Sequence, residues 1–311
     1  MNLQGLTYID LFAGIGGFHQ ALSSVGATCV FASEWDKYAA ETYYANYNIF
    51  PEGDITKIEA SNIPAHDILC GGFPCQAFSI SGKQKGFEDA RGTLFFDIAR
   101  IVKHHQPKML FLENVRNFER HDGGNTLKVI LKTLDELGYH VNYKVLNASD
   151  YNLPQNRERI YLVCFRKELN IENFEFPKSI KLTKKVADLL EESVPEKYYY
   201  NAQPLYQRLK DFVKEEGKVY QWRRQYVREN KSGVCPTLTA NMGTGGHNVP
   251  IIKDKKGIRK LTPLECFRIQ GFPKNYILPT LADSALYKQA GNSVSVPVIE
   301  AVAKQMMKAM E

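Results

Sequence analysis

A chain of 311 residues with 44% hydrophobic content is long enough for one large domain and a smaller one, and excludes a chain disordered at scale. No apolar run approaches the ~18 residues a membrane span needs, and Met1-Asn2-Leu3-Gln4 runs straight into structured sequence, so no signal peptide is expected. The net charge of +6 is uneven: from 179 to 260, 17 Lys and Arg stand against 9 Asp and Glu, a net +8, which fits either a polyanion partner or a lysine-rich solvated surface.

The first half alternates strand and helix signals. Tyr8 to Phe12 reads as a short buried strand, Gly14-Ile15-Gly16-Gly17 as a tight turn, and Phe18 to Ser24 as the start of a helix. Thr28 to Ser33 is a second strand, and Glu34-Trp35-Asp36 caps a helix running to about Tyr47. Asp67 to Cys70 is a third strand and leads into the Pro74-Cys75 turn. Leu94 to His104 has helical spacing, Lys108 to Leu112 is a fourth strand, and Asn125 to Leu137 is an amphipathic helix closed by Gly138. His140 to Leu146 and Arg159 to Phe165 complete the strands. This order predicts an α/β fold, a Rossmann-like, doubly wound and mostly parallel sheet, with ligands bound beyond the carboxyl ends of the strands.

The pattern breaks near Pro177. From there to about Thr280 helix signals are sparse, and a glycine-rich loop runs from Thr239 to Asn248. The expected organisation is a catalytic domain of 1–178 plus 280–311 and a smaller, irregular, β-rich domain of 179–279. The closing helix, Pro297 to Met310, carries Val298, Val302, Met306 and Met307 on one side and is expected to pack on the first domain.

Candidate chemistry gathers at strand ends. Gly14 and Gly16 let the backbone approach a ligand or simply make a turn. Glu34, twenty residues past Gly14, stands where a ribose-binding acid belongs, and His19 breaks the dinucleotide G-x-G-x-x-G pattern, which favours another adenosine-containing cofactor. Trp35 could cover an adenine face or join the core. Asp54 could accept from an adenine amino group or cap a turn.

Cys75 sits behind Pro74 at a strand tip, and a polar, glycine-bearing loop that could close over substrate follows at 79–86. Glu113 ends an apolar strand, where a carboxyl is either paired or kept for a ligand. Arg157 and Arg159 precede a strand and enter the same cleft or form a surface charge run. The cysteines at 29, 70, 75, 164, 235 and 266 include no C-x-x-C pair, and no His/Cys cluster has zinc spacing. A reduced, cytoplasmic protein without a metal is expected.

Taken together, six stretches resemble the DNA cytosine-5 methyltransferases of the bacterial restriction-modification type, in that family's order. They are Phe12 to Gly17, Pro74-Cys75-Gln76, Glu113-Asn114-Val115, Gln155 to Arg159, Arg259 to Pro273 and Gln289 to Val294. The resemblance covers nearly the whole chain except about 181–256. It implies that Cys75 attacks carbon 6 of a flipped-out cytosine, and that Glu113 hydrogen-bonds ring nitrogen 3 and the exocyclic amine. Arg157 would hold the ring carbonyl oxygen, and Arg159 would orient Glu113 or Cys75. It implies S-adenosyl-L-methionine as cofactor, in a site lined by Phe12, Gly14, Gly16, Glu34, Trp35, Asp54, Pro74, Leu94 and Asn292.

The implied partner is double-stranded DNA. Ser81 and Gln221 would fill the space the base leaves, Lys83 and Arg91 would contact phosphates, and Thr237 lies in a recognition loop. Arg224 is a candidate guanine reader, and the alternative is that Arg223 and Arg224 both bind phosphate. A monomer is implied, with a cognate restriction endonuclease acting on the same site. The rival expectations are an RNA-directed enzyme methylating a tRNA cytosine, a non-catalytic DNA-binding protein on the same scaffold, and an oxidoreductase.

Overall fold

The computed structural model describes residues 5–74, 93–172, 174–223, 225–244 and 249–311. Cys75, Ser81, Lys83, Arg91, Arg224, the loop at 79–86 and the end of the glycine-rich loop at 245–248 lie outside the described residues. The chain divides into two compact units. One comprises Met1–Leu146, Glu158–Lys178 and Val298–Glu311, and the other Asn147–Arg157 and Ser179–Pro297.

The first unit is built on six strands: β1 (Thr7–Leu11), β2 (Thr28–Ser33), β3 (Ile68–Gly72), β4 (Met109–Val115), β5 (Tyr139–Asn147) and β6 (Glu158–Arg166). Their order across the sheet is β2-β1-β3-β4-β6-β5. β1 runs parallel to β2 and β3, β3 runs parallel to β4, and β6 is antiparallel to β4. Helices α1 (Gly17–Ser24), α2 (Lys37–Tyr47), α3 (Leu94–His105) and α4 (Asn125–Glu136) follow β1, β2, β3 and β4 in the chain. The fold is thus the α/β doubly wound sheet that the strand–helix alternation predicts.

Met109, Leu110, Phe111 and Leu112 of β4 are all fully buried, as are Ile160 and Leu162 of β6. A sheet covered on both faces needs such continuous apolar strands rather than alternating ones. Asp36 caps α2, its carboxylate accepting from the N–H groups of Tyr38 and Ala39. The last helix runs Val296–Ala309, and its buried stripe of Val298, Val302, Met306 and Met307 belongs to the first unit.

The second unit holds a four-stranded antiparallel sheet in the order β10-β9-β7-β8, made of β7 (Tyr220–Trp222), β8 (Val227–Glu229), β9 (Ile251–Asp254) and β10 (Gly257–Lys260). Its small core includes Leu209, Val213, Tyr220, Trp222, Ile251 and Ile258. Segments 147–157 and 280–297 group with this unit because Gln155 and Arg157 are bonded into it. The Gln155 amide donates to Ile269 O and Gln270 Oε1, both at 3.0 Å, and accepts from Leu238 N at 3.1 Å.

Helix is more frequent past Pro177 than expected. The helix Pro263–Ile269 starts with a capping box: Thr262 Oγ1 accepts from Glu265 N at 3.2 Å, and Glu265 Oε2 accepts from Thr262 N at 2.8 Å. Proline at its first position presets the helical φ. A further helix, Asp283–Asn292, follows.

The same Glu265 carboxylate receives both ends of the Arg259 fork at 2.8 Å, while Arg259 Nε donates to Asp254 Oδ2 at 2.6 Å. Arg259 is 1% exposed and Glu265 fully buried. Removing one member of such a pair leaves a buried charge uncompensated. Arg259→Ala should therefore destabilise the protein by about 3–5 kcal/mol, read as a lower urea midpoint.

Candidate active site

Two strand tips of the first unit set the reaction end. β3 pairs with β4 in parallel register, Gly72 opposite Glu113. The chain leaves β3 through Phe73 and Pro74, and the buried Asn114 amide donates to Phe73 O at 2.8 Å. Asn114, next to Glu113, thus ties down the exit of β3 at Phe73, two residues before Cys75. Its place beside Glu113 was the only sequence signal for that role.

Glu113 is 8% exposed, and its Oε1 lies 3.0 Å from Arg159 Nε. Arg159 reaches it from β6, where it stands opposite Val115. Pairing to a guanidinium is what makes a carboxylate tolerable at a buried strand end. The structure therefore brings Glu113 and Arg159 together beside the backbone that leads to Cys75.

The β1–α1 loop carries the nucleoside-type features. Phe12, Gly14 and Gly16 all have positive φ, at 55°, 55° and 78°. The loop is fastened by Ala13 N to Ser33 O at 2.9 Å and by Gly14 N to Glu34 Oε2 at 2.8 Å. Glu34 Oε1 accepts from Asp36 N at 2.8 Å, and burial pushes the Glu34 carboxyl up from its ordinary pKa while these N–H donors oppose the shift.

Beside this fixed carboxylate the Trp35 ring is 81% exposed, so it is not core. An oriented acid next to an uncovered indole suits a ribose and an adenine face, and the residues fit an adenosine-type cofactor. Asp54 caps a turn, its Oδ1 accepting from Thr56 N at 3.1 Å and Thr56 Oγ1 at 2.8 Å, which holds the carboxyl below its ordinary range. Thr56 and Leu94, at the start of α3, line one cleft of about 510 Å³.

Gly16 rests on a ring stack. His19 stacks on Tyr47 with centroids 3.9 Å apart, its Nδ1 lies 2.6 Å from Tyr43 Oη, and Tyr47 Oη donates to Gly16 O at 3.0 Å. Burial lowers the His19 pKa to about 4, so the imidazole is neutral at pH 7. A Cβ on Gly16 would lie 2.2 Å from Tyr47 Cε2, at a φ that L side chains avoid. Gly16→Ala is expected to raise the KM for an S-adenosylmethionine-type cofactor by about 5- to 150-fold, equivalent to about 1–3 kcal/mol of backbone strain, with the KM for the methyl acceptor little changed. Steady-state kinetics with each substrate varied in turn reads this.

In the second unit the Arg157 guanidinium is 3% exposed and committed to main-chain carbonyls. Nη1 donates to Leu238 O at 2.8 Å, and Nη2 donates to Gly291 O at 3.0 Å and Ser293 O at 2.7 Å. It thereby holds the segment bearing Asn292, which is exposed at the end of its helix. Gly291 packs so closely on Thr239 that a Cβ there would be 2.1 Å from Thr239 C. This clasp gives Arg157 a different task from the carbonyl-oxygen contact expected of it.

A polar cleft of about 630 Å³ also belongs to the second unit, with Gln221, Arg223, Arg228, Thr237, Thr239 and Asn241 among its lining. None of the described residues lining it is acidic. Gln221 and Thr237 are thus brought together, and Arg228 is an addition that its place in a basic stretch alone did not single out.

Residues 6–308 match the family model described as C-5 cytosine-specific DNA methylase. The chain is 50% identical over 313 residues to the type II methyltransferase M.Bsp6I of Bacillus sp. (strain RFL6), covering 98% of this chain and 99% of that protein. It is 49% identical over 320 residues to the type II methyltransferase M.HhaI of Haemophilus parahaemolyticus, covering 97% and 94%. Among solved structures, the S. pombe Dnmt2 methyltransferase matches with a TM-score of 0.75 at 20% identity, covering 97% and 99%, a likeness of fold. By this match over nearly its whole length and by these relatives, the chain belongs to the C-5 cytosine-specific DNA methylases.

Proposed function

We propose that this protein methylates carbon 5 of a cytosine flipped out of a short, specific duplex DNA sequence, through a covalent adduct at Cys75, and so protects host DNA in a restriction-modification system. The observation that carries this reading is the parallel register of Gly72 with Glu113. It supports the reading because the Glu113–Arg159 ion pair stands at the tip of the strand next to β3, from which the chain runs on towards Cys75. The type II methyltransferase relatives support the restriction-modification setting.

Cytosine is a poor nucleophile at carbon 5. Addition of the Cys75 thiolate to carbon 6 breaks the ring's conjugation and makes carbon 5 enamine-like. Glu113 hydrogen-bonds ring nitrogen 3 and the exocyclic amine, stabilising the adduct as charge develops. Arg159, paired with Glu113, would hold that carboxylate and reach the ring carbonyl oxygen, while Arg157 would position the Asn292 segment. Loss of the carbon 5 proton and expulsion of the Cys75 sulfur restore the aromatic ring.

Phe12, Gly14, Gly16, Glu34, Trp35, Asp54, Pro74, Leu94 and Asn292 would hold S-adenosylmethionine. Bound there, it supplies a methyl group on a positively charged sulfur, which the activated carbon 5 takes up. Base extrusion costs a few kcal/mol, and Ser81 would help fill the gap. Lys83 and Arg91 would hold phosphates, and segment 179–279 would read the sequence. The protein would act as a monomer in the bacterial cytoplasm, with a cognate endonuclease sharing its site and making no direct contact.

Transfer of labelled methyl groups to duplex DNA and to tRNA tests the reading. Incorporation at carbon 5 of cytosine in duplex DNA is expected, and labelling of tRNA alone would overturn it.

A further inference from the structure

The cleft of the second unit holds two arginines that the structure treats differently. Residues along a strand alternate faces. Tyr220 and Trp222 of β7 point into the core, at 2% and 5% exposure, so Gln221 takes the opposite side, and Arg223, just past the strand end, bonds to it. Arg228 of β8 stands directly across from Gln221 and projects on that same side. All three line the cleft.

Arg223 is fixed at both ends. Its N–H donates to Tyr226 O at 2.9 Å and its carbonyl accepts from Gln225 N at 2.7 Å, which closes the turn between β7 and β8. Its Nη2 donates to Gln221 Oε1 at 3.1 Å. Arg228 has no side-chain hydrogen bond among the described residues. A guanidinium carries five N–H donors in a rigid plane, so one bond to an amide oxygen narrows its orientations and leaves the other donors to a ligand.

Reading guanine needs that orientation, because O6 and N7 must be met together in the major groove. A phosphate contact demands only charge and reach. Ordering the fork before binding also removes part of the entropy cost of the contact.

We propose that Arg223, oriented by Gln221, is the guanine-reading residue of this enzyme and that Arg228 contacts the phosphate backbone. The assignment rests on the reading of the second unit as the DNA-recognition unit. It gives Gln221 an orienting role on Arg223 in place of filling the space left by the flipped base.

The test profiles a randomised duplex library with the full-length protein, by methylation and by equilibrium binding. Binding keeps the result readable if a variant turns over poorly. Arg223→Gln is expected to lose about 10- to 100-fold discrimination at one guanine position and to leave the rest of the profile in place. Gln221→Ala should weaken the same position by a smaller factor. Arg228→Gln should lower binding evenly across sequences and reduce the log–log salt slope by about one.

Placing 7-deazaguanine at that position should penalise the wild type but not Arg223→Gln. A uniform loss in Arg223→Gln with an unchanged profile would overturn the assignment, as would base-specific loss in Arg228→Gln. If the wild type neither binds nor methylates duplex DNA, the functional reading itself fails, which is a separate result.

Discussion

Cys75→Ala is expected to lower methyl transfer by at least about 10⁴-fold while duplex binding is retained. On the proposed mechanism, removing the sulfur removes the route by which the ring becomes nucleophilic at carbon 5, whereas the basic second unit, proposed to hold DNA, is untouched. The readouts are labelled-methyl incorporation and gel retardation of a cognate duplex. Duplex carrying 5-fluorocytosine should form a denaturation-resistant adduct with the wild type and none with the variant.

The adduct can be assigned to one sulfur. Cys70, Cys164, Cys235 and Cys266 are fully buried, and burial pushes their thiols up. Cys29 is pushed up to about 11, chiefly by burial, and is mostly protonated at pH 7. Turnover of Cys75→Ala within about tenfold of wild type would refute the covalent route.

Glu113→Gln should reduce single-turnover methylation by about 10²–10⁴-fold. Glutamine keeps the shape and one acceptor but removes the charge that stabilises the protonating ring, and it leaves Arg159 without its ion pair at 14% side-chain exposure. Thermal melting separates the two effects, since the loss of pairing costs stability in the absence of DNA and the catalytic loss does not. Glu113→Asp, which keeps the charge on a shorter arm, should also be slow, because Arg159 Nε now sits 3.0 Å from the longer one. Single-turnover rates within about tenfold of wild type for Glu113→Gln would remove Glu113 from the chemistry.

The sheet was legible because a parallel sheet covered on both faces demands apolar runs, and Met109 to Leu112 is such a run. Glu113 was legible for the opposite reason, as a charge where the run should have continued. The helix at Pro263–Ile269 was overlooked although Thr262, Pro263 and Glu265 spell its start. At seven residues it offers too few turns for a periodic stripe.

The bonds of Arg157 differ from those of Arg159 although the two stand close in sequence. Two residues apart in a strand they would share a face, but β6 begins at Glu158, so the alternation does not reach back to 157. The partners of Arg157 are peptide carbonyls, which no side-chain pattern encodes. Likewise, which of Arg223 and Arg228 is held depends on a side-chain bond from Gln221, which no local pattern encodes.

The three bonds by which Arg157 holds Leu238, Gly291 and Ser293 all end on peptide oxygens, which every residue type supplies. Leu238, Gly291 and Ser293 offer the same acceptors whatever residues precede them. On the proposed reading of the second unit, the stretch before 238 is therefore open to replacement without loss of these three bonds. Chimaeras that exchange this stretch between relatives should survive when the junction leaves 155–157 and 238–239 intact.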